Sequence, residues 1–253
     1  AISTSEDGAH SIYAVDVDGD GDMDVLTGSH IDDTIAWYEQ DGSPFKPQTK
    51  AELQTAVAMW VSDNTSALST YGEINTWDVS LITNMSELFE QKTTFNDDIS
   101  NWDVSSVTNM QEMFNSARAF NQNLSSWDVS SVTNMKELFR NAITFNENIS
   151  TWDVSSVSNM IAMFSSTWAF NQDISDWDVS NVTNMGSMFY SSNVFNQDIS
   201  DWDVSNVTNM GGMFWGASEF NQDLSSCNVS NVISMGNICV GCIDDDHCPS
   251  GQI

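Results

Sequence analysis

Phe170 to Phe189 reads FNQDISDWDVSNVTNMGSMF, and this stretch returns almost verbatim along most of the chain. Aligned on its tryptophan, the copies fall at Trp77, Trp102, Trp127, Trp152, Trp177 and Trp202, each 25 residues after the last, with Cys227 in the seventh slot. A period held without slippage means one supersecondary unit stacked on copies of itself, so the expected architecture is a solenoid.

Within one unit the apolar columns are Ile99, Trp102, Val104, Val107, Met110, Met113, Phe114 and Phe120. The pattern Ile-x-x-Trp-x-Val-x-x-Val matches the spacing of a leucine-rich-repeat strand and its exit, with tryptophan in a leucine slot. It predicts a short parallel strand over Ile99 to Val104. Asn109 followed three residues later by Glu112 predicts a capped short helix through Phe114, and Asn84 with Glu87 and Asn134 with Glu137 repeat the pair. Glycines in Met210-Gly-Gly-Met213 weaken that helix in later units. The fold class expected is thus an α/β solenoid, a leucine-rich-repeat-like stack of about seven coils with a parallel β-sheet. Lys50 to Val61, with Leu53, Val57 and Trp60 on one face, is expected as a helical N-terminal cap over the open core.

Stacked coils lie about 4.8 Å apart, so identical columns become ladders. Asn96, Asn121, Asn146, Asn171, Asn196 and Asn221 are expected to form an internal amide ladder that satisfies backbone. Asp78, Asp103, Asp128, Asp153, Asp178 and Asp203 form a carboxylate ladder beside the tryptophans. Hydrogen bonds from Ser80, Ser105, Ser130, Ser155, Ser180 and Ser205 relieve its repulsion in one reading; in the sharper one the ladder binds divalent cations or a basic partner. The threonine column Thr83, Thr108, Thr133, Thr183 and Thr208 is single and interrupted by Ser158, which falls short of an ice-binding face.

Val15 to Leu26, VDVDGDGDMDVL, places Asp16, Asp18, Asp20 and Asp24 around Gly21 at the spacing of a calcium loop, with the Asp22 carbonyl as a further ligand. Apolar alternation on either side predicts a β-hairpin with the loop at its tip, so calcium is the expected cofactor. The domains expected are 1–46, a small β segment with the calcium loop; 47–66, the helical cap; 67–240, the solenoid; and 241–253, a cysteine-containing tail. Cys227, Cys239, Cys242 and Cys248 cluster at the C-terminal end and point to disulfides in an oxidising compartment, with zinc at Cys239, Cys242, His247 and Cys248 as the competing reading. Sequons begin at Asn64, Asn84, Asn123, Asn148, Asn181, Asn206 and Asn228, with Asn64, Asn123, Asn148, Asn181 and Asn206 taken as candidate glycosylation sites.

The 253-residue chain carries 36 acidic and 6 basic residues, a net charge of −30, so nucleic acid and anionic membranes are poor partners. No apolar run approaches the roughly 20 residues of a membrane span. With no initiator Met and no secretory signal, a processed or excised piece of a longer protein is the expectation. His10, His30 and His247 all lie outside the repeats, and no nucleophile is paired with a base by local motif. The reading is therefore non-enzymatic.

With DDTIAWYEQDG following at Asp32 to Gly42, residues 1–46 resemble one FG-GAP or VCBS repeat, the calcium-loaded blade of a β-propeller. The WDVSxVTNMxxMF core over about residues 50–240 resembles the BspA-like leucine-rich-repeat family in its 25-residue form. The resemblance implies an extracellular, secreted or cell-surface solenoid used in cell adhesion or binding of a protein or glycan ligand. The alternative is a structural subunit of a self-assembling filament or matrix, whose partner is another copy of itself. Against the family pattern Cys227 replaces Trp and Cys239 replaces Phe, which makes Cys227 to Cys239 and Cys242 to Cys248 one plausible pairing among three.

Overall fold

A computed structural model describes residues 44–236 throughout and the strands Ala9–Val15, Asp24–Ser29, Thr34–Tyr38 and Cys239–Val240. The chain divides into two compact units, Ala1–Pro44 and Phe45–Ile253. In the first, β1 (Ala9–Val15), β2 (Asp24–Ser29) and β3 (Thr34–Tyr38) form an antiparallel sheet in that order. Val15 faces Asp24 across β1 and β2.

In the second unit, α1 (Lys50–Ser62) starts where Thr49 accepts the Glu52 N–H, and α2 (Asn64–Tyr71) starts where Asp63 accepts from Ser66. Leu53, Ala56, Val57 and Trp60 of α1 are buried in one core with the coils that follow. The Trp60 ring meets Trp77 edge-on, with centroids 5.8 Å apart, and its indole N–H donates to Asp97 at 2.9 Å.

From Trp77 onward the chain repeats one coil every 25 residues, and each coil packs on the next. Phe114 lies 4.1 Å from Phe120 in its own coil and 5.5 Å from Phe139 in the next, with rings 13° and 5° from parallel. Offset aromatic pairs of this kind add about 0.5–1.5 kcal/mol each beyond burial. Each tryptophan of the 25-residue column from Trp102 to Trp202 donates its indole N–H to the Ile or Leu carbonyl 28 residues earlier: Trp127 to Ile99 at 3.1 Å, Trp152 to Leu124 at 3.0 Å. This explains why tryptophan fills the slot, since the ring supplies core volume while its single polar atom ties two coils together.

Two local expectations are corrected. The strand expected at Ile99 to Val104 is a pair of turns, because Asp98 and Asp103 capture the N–H groups of Ser100 and Ser105, which a strand would give to its neighbour. The helix expected from Asn109 to Phe114 is also absent. Asn109 Oδ1 accepts from the Gln111 N–H, two residues on rather than three, and Glu112 takes a left-handed backbone with φ 58°.

The inter-coil contact lies here instead. Parallel bridges run through Asn84, Asn109, Asn134, Asn159, Asn184, Asn209 and Ser234. Alternate N–H groups then cross to the next coil: Met110 to Asn134 O at 3.0 Å, Glu112 to Lys136 O at 2.8 Å, Phe114 to Leu138 O at 2.9 Å, Ser116 to Arg140 O at 2.7 Å. The intervening N–H groups close turns within the coil, as Met113 does to Met110 O at 3.1 Å. The result is a ladder of consecutive turns with two left-handed residues per coil, such as Glu112 and Ser116. The pattern closes at β4 (Phe214–Trp215), which pairs in parallel with β5 (Cys239–Val240).

Candidate functional site

Each coil has an Asx edge, from the position of Asn96 to that of Thr108, and a ladder face, from the position of Gln111 to that of Ala119. The two differ in what their exposed side chains do. On the Asx edge most are engaged, although Asn101, Asp176 and Asp201 are exposed and make no side-chain hydrogen bond among the described residues. Asp98, Asn123, Asn148, Asp173, Asp198 and Asp223 accept from the serine N–H two residues on. The carboxylate ladder does the same: Asp128 Oδ1 accepts from Ser130 N–H at 3.1 Å and Ser130 Oγ at 2.6 Å. Asp78 adds Lys46, whose Nζ lies 2.6 Å from Oδ2, and with Ser80 this lowers its pKa to about 2.

For Asp128, Asp153, Asp178 and Asp203 the serine hydroxyl, then its N–H, holds the carboxyl below the ordinary range. Repulsion from neighbouring ladder carboxylates opposes this at Asp153 and Asp178 and is the smaller effect. Among the described residues no three His, Cys, Asp or Glu side chains converge as a metal site. Each ladder carboxylate caps a turn by accepting from the serine N–H two residues on.

The asparagine ladder is a correction of place. Asn121 N–H donates to Asn96 Oδ1 at 2.8 Å and Asn146 N–H to Asn121 Oδ1 at 2.8 Å, but Asn96, Asn171 and Asn221 are exposed and Asn121, Asn146 and Asn196 only half-buried. The amides satisfy backbone at the surface and not inside. The threonine hydroxyls donate to the preceding coil's carbonyl, Thr108 to Thr83 O at 3.2 Å. Sequon residues Asn181 and Asn206 donate their Nδ2 to Ser155 O at 2.7 Å and Ser180 O at 2.8 Å, whereas Asn123 and Asn148 use Oδ1 alone. Asn64 is exposed at the first position of α2, Asn84 is exposed in the column of parallel bridges, and Asn228 is exposed on the Asx edge.

On the ladder face the exposed side chains change from coil to coil. Across the six copies from residue 86 to residue 219, the first three carry all the charges there but one: Glu87, Glu90, Lys92, Glu112, Arg118, Lys136, Glu137 and Arg140. Arg140 reaches Glu137 at 2.6 Å and Lys136 lies 3.6 Å from Glu112. Burial works against the Glu137 charge, yet Arg140 and Lys136 keep its carboxyl below the usual range. Lys92 and Arg118 make no ion pair among the described residues. The later coils present Trp168, Tyr190, Val194 and Trp215 instead. Sequence reasoning passed over these side chains because they break the repeat and had no column to belong to.

Of the calcium loop, Asp16, Asp18, Asp20 and Asp22 lie outside the described residues, and Asp24 opens β2. Of the cysteines, Cys239 lies in β5, Cys242 and Cys248 lie outside the described residues, and Cys227 is half-buried. Burial pushes the Cys227 thiol up. Standing in a tryptophan slot, it lines an apolar cavity of about 40 Å³ with Trp202, Phe214 and Leu224.

Fold and surface together define a class: a protein of stacked 25-residue coils closed at one end by helices. The chain belongs to the family described as "Mycoplasma protein of unknown function, DUF285", whose model matches residues 56–167 and 144–247. No curated protein and no solved structure matches the chain. Among the described residues no helix is long and apolar enough to cross a membrane.

Proposed function

We propose that this chain is a non-catalytic, extracellular binding or scaffold protein, a BspA-like solenoid of leucine-rich-repeat kind for cell-surface adhesion or protein interaction. One observation carries the reading: core and Asx edge repeat because their side chains are consumed in packing and hydrogen bonds, which leaves the ladder face as the surface where composition varies. Such a face can be written for a partner without disturbing the stack. The acidic loop at Asp16, Asp18, Asp20, Asp22 and Asp24 suits calcium, and residues 1–46 fit an FG-GAP or VCBS-type blade that the ion would stabilise. The cysteine cluster and the sequons fit an oxidising, extracellular setting.

The second reading, a subunit of a self-assembling filament or matrix, is favoured by a regular stack whose equivalent surfaces recur along one axis. Sedimentation of the full chain, first in calcium and then in chelator, separates the two. A monomer that binds cells or matrix when coated on an inert surface supports the first reading. Large assemblies that fall apart on chelation support the second. A monomer that retains nothing in either condition overturns both.

A further inference from the structure

We infer that the ladder face of the three coils spanning residues 145–219 is a binding site for neutral carbohydrate. This rests on the binding reading above and names the partner's chemistry.

Local charge is the first ground. Residues 161–169, 186–194 and 211–219 include one Asp, Glu, Lys or Arg, Glu219, on a chain of net charge −30. The Asx edge of the same coils exposes Asp173, Asp176, Asp178, Asp198, Asp201 and Asp203. A cationic ligand is drawn to that edge and a polyanion is repelled by the whole molecule. A neutral ligand is the one that the ladder face does not penalise.

Exposed rings are the second ground. Trp168 is 51% exposed, Val194 41% and Tyr190 38%, although the interior columns of these coils are already filled by Phe164, Phe170, Phe189 and Phe195. The floor beside the rings loses its long polar side chains: where earlier coils have Gln111, Glu112, Lys136 and Glu137, these have Ile161 and Ala162, then Gly186 and Ser187, then Gly211 and Gly212. The Tyr190 ring edge lies 3.9 Å from where a Cβ on Gly212 would stand and the Ser187 hydroxyl 3.3 Å, so the ring borders glycine backbone beside a hydroxyl.

The rim is the third. Asn193, with its carboxamide oriented to donate, reaches Ser191 O at 3.2 Å and Gly216 O at 3.0 Å, and Ser218 Oγ donates to Asn193 O at 3.3 Å. A ring face bordered by fixed amide and hydroxyl groups matches a pyranose, whose apolar C–H face stacks on an aromatic ring while its hydroxyls exchange hydrogen bonds with the rim. Three coils cover roughly 15 Å of axis at about 4.8 Å each. That is too little for the about 800 Å² per partner of a stable protein interface, and enough for a few sugar units.

The test is calorimetric titration of the full chain with cellohexaose and with maltohexaose, with a hexamer of galacturonate as the anionic arm. Saturable binding of at least one neutral hexasaccharide is expected, with its dissociation constant raised tenfold or more by Trp168→Ala and by Tyr190→Ala. Both variants should keep the parent's circular dichroism, since neither side chain is in the core. Leu81→Ala, which removes an exposed apolar group on the Asx edge of the first coil, should bind like the parent. The proposal is overturned if neither neutral sugar binds at millimolar concentration, if binding survives both aromatic substitutions unchanged, or if galacturonate binds more tightly than both. Any of those results leaves the broader binding reading to its own sedimentation and coating test.

Discussion

Asp178 lies in a column between Asp153 and Asp203, yet the Ser180 hydroxyl and N–H hold its carboxyl below the ordinary range against repulsion from both. A carboxyl whose folded pKa is depressed contributes stability above its unfolded value, near 3.9, and loses it as the pH falls through the folded value. With Asp78 lowered to about 2, the melting temperature should fall between about pH 4 and pH 2. Asn228 shows that the cap works without charge, since its Oδ1 accepts the Ser230 N–H at 3.2 Å. Asp178→Asn is therefore expected to stay within ~0.5 kcal/mol of the parent at pH 7, with a shallower acid limb in a melting series. A neutral-pH loss above ~1.5 kcal/mol would show that the charge has a further partner. The aspartate and serine columns were readable as alternatives before the structure, because the spacing of two residues suits a turn cap. In the structure the carboxylates turn onto their own serines.

At the level of the coil, the left-handed positions explain a substitution pattern that the sequence presents as helix weakening. Gly212 has φ 66° and Gly216 φ 75°, and they stand where earlier coils hold Glu112, Glu137, Ser116 and Asn141 in the same backbone conformation. A non-glycine residue there costs roughly 1–2 kcal/mol, partly offset by the extra chain freedom that glycine loses on folding. Ser116→Gly should thus stabilise by about 0.5 kcal/mol in urea unfolding. Gly216→Ala should destabilise by about 1–2 kcal/mol, because strain adds to a Cβ placed 3.0 Å from Ser191 Oγ. An unchanged urea midpoint for Gly216→Ala would contradict the assignment of that position. The expected capped helix at Asn109 went astray because an asparagine side chain can cap a turn of two residues as readily as a helix of three, and local sequence does not separate them.

Taken as a whole, the stack is held by contacts between neighbouring coils, so its stability should behave as a sum over coils and their interfaces. Excising residues 145–169, one full period, should leave a folded chain with the parent's spectrum per residue and a lower melting temperature. Excising residues 145–164 shifts the aromatic columns out of register and should abolish cooperative melting. Equal behaviour of the two deletions would mean that the columns do not set the register.

Periodicity alone determined the repeat, its length, the membership of the core columns and the helix of Lys50–Ser62, because a buried side chain must be apolar and a stacked one must recur. The tertiary structure decided where the inter-coil hydrogen bonds run, which polar columns cap turns, and that the amide ladder lies at the surface. It also separated an edge whose side chains are consumed by the fold from a face whose side chains are free to vary. These depend on backbone direction at each corner, where residues with short polar side chains choose between several local partners of similar energy, and only the packing of one coil on the next selects among them.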